Sequence, residues 1–240
     1  MIDKILSQLH WYPLLLLVIL ALCPIVVAQE GSDLERNFDV LNLTGMSAGE
    51  TLPDGWKLQT FSKVEKATIY QVIAEEGSPT PVIAAVADRS AAGMVRKLEL
   101  DPNQYPRLRW RWKISSLLEH AQLTKKTGDD CAARVLVSFG SNWFKGGVPR
   151  GTLCYVRGST EPVGTMFTSP YLSDVVSIVV ASGAESVGSW ETIERDLVED
   201  YQRAFGEEPG KIRAISLMTD TDNTGSAVSA WYGQIQLLHK

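Results

Sequence analysis

Asp220, Asp222 and Gly225 stand at the first, third and sixth positions of a calcium-loop spacing, with Asn223 between them. Carboxylate and amide oxygens are the hard ligands that calcium prefers, and a glycine at the sixth position permits the sharp turn. Trp231 occupies the place of the bidentate glutamate, which excludes an EF-hand. Two readings remain for this loop. One is a looser calcium site built from Asp220, Asp222 and Asn223, joined by Asp129 or Asp130. The other is an Asx-rich turn whose carboxylates bond their own backbone.

A second group of residues has the chemistry of ligand recognition. Arg107, Arg109, Arg111 and Lys113 alternate with Leu108, Trp110, Trp112 and Ile114. Guanidinium forks suit carboxylate and phosphate, so Arg109 and Arg111 are candidates for gripping an anionic group. The same cations also suit a plain cross-strand ladder, with Glu194, Asp196 and Glu99 as available partners. Trp143, Phe144 and Trp190 lie by Gly-rich loops and are candidates for stacking against a sugar, although such rings also serve as packing anchors. Catalysis has less to work with. The chain holds three histidines, of which His120 and His239 lie outside the amino-terminal apolar segment. Neither a nucleophile elbow, a zinc-binding histidine cluster nor a phosphate-cradling glycine loop is present. A carboxylate pair, Asp130 with Asp220 or Asp222, is the remaining route to an enzyme, of the glycoside-hydrolysing kind.

The elements that must position these residues are strands. Unbroken alternation from Arg107 to Ile114 fits period two alone, so the aliphatic and indole side chains share one face and the cations the other. Trp110 and Trp112 are therefore expected in a core. The pairs Thr68 to Ala74 and Val82 to Ala87 flank a Glu-Glu-Gly-Ser-Pro turn and predict a hairpin. Strands are further expected from Trp56, from Gly93 to Leu100, and around Ala132, Thr152, Val175 and Ile212. This pattern predicts an all-β, antiparallel β-sandwich. The exception runs from Trp190 to Gly206, where Ile193, Leu197, Tyr201 and Phe205 recur every four residues. It predicts a strand leading into one short helix that stops at Gly206.

Lys4, an apolar run from Trp11 to Leu22, Pro24 and Val26-Val27-Ala28 have the pattern of an export signal cleaved after Ala28. The run is shorter than the ~20 residues of a spanning helix, so no stable membrane span is expected after cleavage. Residues 1–28 are thus read as signal peptide, 29–50 as a polar leader and 51–240 as a single sandwich domain. A net charge of −5 argues against a nucleic-acid partner. Cys131 and Cys154 invite a disulfide in an oxidising compartment. If Phe139 faces Thr152, however, Cys154 falls opposite Val137 and out of reach of Cys131, which predicts two free thiols.

Several long motifs carry a resemblance. Leu108-Arg109-Trp110-Arg111-Trp112, Gly128-Asp129-Asp130 before Ala133-Arg134-Val135, Leu153-Cys154-Tyr155-Val156, Tyr201-Gln202-Arg203-Ala204-Phe205-Gly206, and Met218 to Gly225 followed by Ala230-Trp231-Tyr232-Gly233-Gln234-Ile235 resemble the bacterial family called domain of unknown function 3047. The resemblance covers nearly the whole of residues 51–240. It implies an exported bacterial domain, periplasmic or secreted, with a jelly-roll sandwich of the galactose-binding kind. It also implies a small residue at position 131, which speaks against a bridge there, and it transfers no catalytic residue. The expected function is a non-catalytic binding domain for a polar ligand such as a cell-envelope glycan. A carboxylate-dependent glycan-active enzyme and a structural periplasmic interaction module are the alternatives.

Overall fold

The computed structural model of the chain describes residues 37–50, 52–140 and 151–240. The residues read as an export signal with its cleavage position, and Trp143, lie outside these residues. Among the described residues thirteen strands and one α-helix follow one another, with a short 3-10 turn at Lys126–Gly128. They are β1 (Phe38–Leu41), β2 (Trp56–Thr60), β3 (Ile69–Ile73), β4 (Val82–Asp88), β5 (Ala91–Leu100), β6 (Arg107–Ile114), β7 (Cys131–Phe139), β8 (Thr152–Arg157), β9 (Met166–Thr168), β10 (Val175–Ala181), β11 (Glu191–Asp196), the helix α1 (Leu197–Phe205), β12 (Ile212–Asp220) and β13 (Ala227–Leu238). They form a β-sandwich of the jelly-roll kind. One sheet runs β11-β6-β13-β4-β3, with β1 also paired to β13, and the other runs β2-β5-β12-β7-β8-β10-β9. No helix among the described residues is long and apolar enough to cross a membrane.

Alternation along β6 puts Leu108, Trp110, Trp112 and Ile114 between the sheets, each at most 1% exposed. Opposite them on β13, Leu237, Ile235, Tyr232 and Ala230 point the same way. From the second sheet come Met94, Val135, Val137, Tyr155, Ile215 and Leu217, all buried in the same core. Trp110 lies 5.5 Å from Trp112 and 5.2 Å from Tyr155, so it bridges the two sheets. The predicted hairpin forms as β3 and β4.

Strands β7 and β8 do not alternate in burial, being covered on both sides. A smaller cluster of Leu123, Cys131, Cys154, Val156, Val175 and Val179 lies on the second sheet, away from the main core. Leu123 belongs to the long β6–β7 connection, which folds back over this sheet. Coverage of both faces is what gives these strands their nearly continuous apolar sequence.

Three details differ from the sequence reading. The β8–β10 pair is parallel within otherwise antiparallel sheets. Strand β1 lies in the stretch expected as a leader and pairs with β13 beyond the end of β4, so part of that stretch is built into the sheet. Finally, the Phe139 amide donates to the Gly151 carbonyl, which sets Cys154 opposite Leu136 and not opposite Val137. The consequence drawn for the thiols is unaffected, and Cys131 and Cys154 are both free and buried.

Helix α1 starts and stops as its ends require. Asp196 accepts hydrogen bonds from the amides of Val198 and Glu199 at 3.0 and 2.9 Å. Gly206 closes the helix with φ at 72°, a conformation that costs glycine little. Leu197 and Tyr201 anchor the helix on the core, with the Tyr201 ring 4.8 Å from Phe139.

Candidate functional site

The outer face of β6 is cationic as the alternation requires, and the neighbouring strands decide what each cation meets. Glu194 stands opposite Arg109 on β11. Its two oxygens take Arg107 at 2.8 Å and Arg109 at 2.7 Å, so two guanidinium groups share one carboxylate. Arg111 is held differently. Both of its terminal nitrogens reach Glu75 in the β3–β4 loop, at 2.9 and 2.5 Å. The Arg111 hydrogen bonds hold the Glu75 carboxyl below its ordinary range, with Ser78 and the Trp190 side chain acting in the same direction. Space for this arrangement comes from Gly233 on β13, where an added Cβ would fall within 3 Å of the Arg111 side chain.

Among the described residues no acid pairs with Lys113. Its ammonium lies 4.7 Å from the centre of the Trp231 ring and 5.3 Å from that of Trp190. Register explains the contact. Trp231 pairs with Lys113 across β13 and β6, and the β11–β6 register, continued by one residue beyond Glu191, puts Trp190 on the other side. Ala84 and Gln71 extend the same row across β4 and β3. The row thus reads Gln71, Ala84, Trp231, Lys113, Trp190, with two half-buried tryptophans separated by two strand spacings, ~10 Å. Arg111 also stacks on Trp190, its guanidinium carbon 4.1 Å from the ring centre. Cation–π contacts of this kind orient both rings and both cations.

Arg109, Arg111 and Trp190 therefore share one face. Trp143 is a candidate outside the described residues. Trp231 and Glu75 were missed as members of this face. In Ala230-Trp231-Tyr232 two adjacent aromatics point to opposite sides, and only the pairing of β13 tells which of them is outside. Of the acids expected to serve the cations, Glu194 does so. Asp196 instead caps α1, and Glu99 lies on the other sheet, paired with Lys211 and Arg213.

The acidic loop forms a separate cluster on the second sheet. Asp130, Asp220 and Asp222 bring carboxylate oxygens within 4.8 Å of one another. The lone pairs of Asp130 and Asp220, however, are served by the protein itself, while Asp222 is exposed. Asp130 accepts from the Asn223 amide and side chain and from the Thr224 amide and hydroxyl. Asp220 is clasped by Arg134 and accepts the Cys131 amide, and Arg134 reaches Asp129 as well. Asn223 Oδ1 lies 2.7 Å from the Tyr171 hydroxyl. A calcium ion would have to replace the buried Arg134 cation and these donors, so the set does not fit that metal. Burial pushes the Asp220 carboxyl up to about 7 against the pull of Arg134, with Asp130 and Asp129 adding to the rise. Burial also raises Asp129 and Asp222.

A shallow groove of about 490 Å³ crosses the outer side of β2, β5, β12 and β7, with Leu58, Phe61, Val95, Leu136 and Met218 along it and Ser216 on its floor. Another hollow, of about 450 Å³, lies under the loop after β1, where Arg96 donates to the carbonyls of Asp39 and Val40.

Solved structures with a similar chain path include a family 11 carbohydrate-binding module of Clostridium thermocellum, at 12% identity and a TM-score of 0.44, over 85% of this chain and 95% of that one. The Emp47p carbohydrate recognition domain is similar at 13% identity and a TM-score of 0.47, over 87% and 96%. An adhesin domain of Lys-gingipain from Porphyromonas gingivalis is similar at 8% identity and a TM-score of 0.40, over 82% and 99%. No curated protein matches the chain in sequence. The family model described as protein of unknown function (DUF3047) matches residues 54–236, and the chain belongs to that family.

Proposed function

We propose that the protein is an exported, non-catalytic glycan-binding domain, and that the outer face of the sheet carrying β6 is where a sugar chain lies. The observation that carries this reading is the row in which Trp231 and Trp190 flank Lys113. A pyranose ring has an apolar C–H face and a polar rim of hydroxyls. It needs a large aromatic surface bordered by fixed hydrogen-bonding groups. Here the indoles supply the surface. Gln236, opposite Arg109 on β13, and the Glu75–Arg111 and Glu194–Arg109 pairs supply the border. Lys4, the apolar run and Ala28 support export.

The hydrolase alternative needs two carboxylates facing each other in a cleft. Asp220 does not offer that, because it is buried and bound to Arg134.

The reading is tested by affinity electrophoresis of the full chain through gels containing polysaccharides, backed by calorimetry on retarding polymers. Trp190→Ala and Trp231→Ala are each expected to remove retardation while shifting the melting temperature little, because both rings lie outside the core. Wild-type migration unaffected by neutral or charged polysaccharides would defeat the proposal.

A further inference from the structure

We infer that the glycan held on this face is anionic, a sugar chain bearing carboxylate or sulfate groups, with Lys113 as the residue that selects it. The inference rests on the glycan-binding reading above and adds its ligand class.

Among the described residues, ion pairs serve three of the four cations on this face. Along β6 four cations face outward, and the acids that pair with them are Glu194 and Glu75. Arg107 and Arg109 divide the Glu194 carboxylate and are 50% and 45% exposed, with Asp196 opposite Arg107 in register and Asp39 hydrogen-bonded to Gln236 beside Arg109. Among the described residues no carboxylate pairs with Lys113, whose contacts are the two indole faces. A flexible ammonium usually remains in water or finds an acid. Here the two rings hold it in the centre of the platform, where a sugar stacked on either ring would carry its substituent.

The surroundings strengthen this charge toward an anion. Indole walls exclude water on two sides, and a charge–charge hydrogen bond gains where water is excluded. The chain as a whole carries a net charge of −5, so the cationic row is a local feature in an acidic molecule. A polyanion would be repelled by the average surface and accepted here, which favours one docking position. Because the row crosses the strands, an extended chain lying along it meets Trp231, then Lys113, then Trp190. Its apolar ring faces meet indole while an anionic group between them meets the ammonium.

The experiment compares the full chain on polygalacturonate, its methyl ester, dextran sulfate, unmodified dextran and polyglutamate. Calorimetry at low and raised salt is run on the wild type, Lys113→Gln and Lys113→Arg. The expected result is binding to polygalacturonate, dextran sulfate or both. It should exceed binding to the matching neutral polymer, weaken with salt, fall about tenfold in Lys113→Gln and be retained in Lys113→Arg. Preference for polygalacturonate assigns the anion as carboxylate, and preference for dextran sulfate assigns it as sulfate. Equal binding to the ester and the acid, unchanged in Lys113→Gln, would overturn the inference and leave a neutral-glycan site standing. Equal binding of polyglutamate would overturn both readings in favour of a bare cationic patch, as would failure of every glycan to bind.

Discussion

Arg134 is the residue on which the acidic corner of the molecule turns. Three acids, Asp129, Asp130 and Asp220, lie buried around it, and it forms ion pairs with Asp129 and Asp220 at 3.0 and 2.9 Å. One internal guanidinium cannot neutralise three carboxylates, which gives a physical reason for burial to push Asp220 up to about 7. The sign of the linkage follows. An unfolded aspartate titrates near ~3.9. The folded chain therefore binds the Asp220 proton more tightly, and the resulting stability is complete below about pH 4 and is lost as the pH rises through about 7. Asp129 and Asp222, also raised, act in the same direction. The melting temperature is expected to fall between about pH 5 and about pH 8. Asp220→Asn, which keeps one acceptor oxygen for Arg134, should flatten that slope. Chelator and added calcium should leave the wild-type transition in place, because Arg134 already occupies the cation's role. A calcium-dependent rise in melting temperature would show that the cluster opens to the metal.

Single elements carry separable parts of the stability. β6 contributes Trp110 and Trp112 to the centre of the core, so Trp110→Ala should cost about 3–5 kcal/mol in denaturant unfolding, the range for deleting a buried aromatic. Among the described residues the buried Trp110 indole N–H has no acceptor. Trp110→Phe, which removes that N–H and keeps a ring, should cost clearly less than the alanine change. A loss of under ~1 kcal/mol for Trp110→Ala would contradict the packing described. Helix α1 offers a contrasting case at its start. Asp196→Ala removes the cap on Val198 and Glu199 and is expected to cost about 1 kcal/mol. Glycan binding should survive that change, since α1 lies at the far end of β11 from Trp190.

The sandwich presents two outer faces of opposite kinds. On one, the β6–β7 connection and the β12–β13 loop cover β7 and β8 with a second apolar cluster and the Arg134 network. On the other, β6, β13 and β11 carry a row of indoles and cations, met by the β3–β4 loop where Glu75 holds Arg111. An open face on one side and a locked loop system on the other suit the proposed exported glycan-binding domain. Intact-mass measurement of the protein from its native host is expected to give a chain starting at Gln29, and a full-length chain held in membranes would contradict the signal reading.

Alternation by itself determined the inward and outward faces of β6, because strand geometry allows side chains two directions only. Periodicity and the Gly206 stop likewise determined the place of α1, since these are local signals read within a few residues. Pairing was another matter. That Glu75 holds Arg111, that Trp231 and Trp190 flank Lys113, and that Arg134 fills the acidic loop depend on residues 30 or more positions apart in the chain. A one-residue change of register would turn each of these side chains to the opposite face. The Cys154 register shows how small that margin is, since Phe139 meets Gly151 and not Thr152. The sequence showed that carboxylates, cations and indoles were present at suggestive spacings. Only the order of strands in the sheet decided which cation was left without an acid, because that depends on which strand lies beside which.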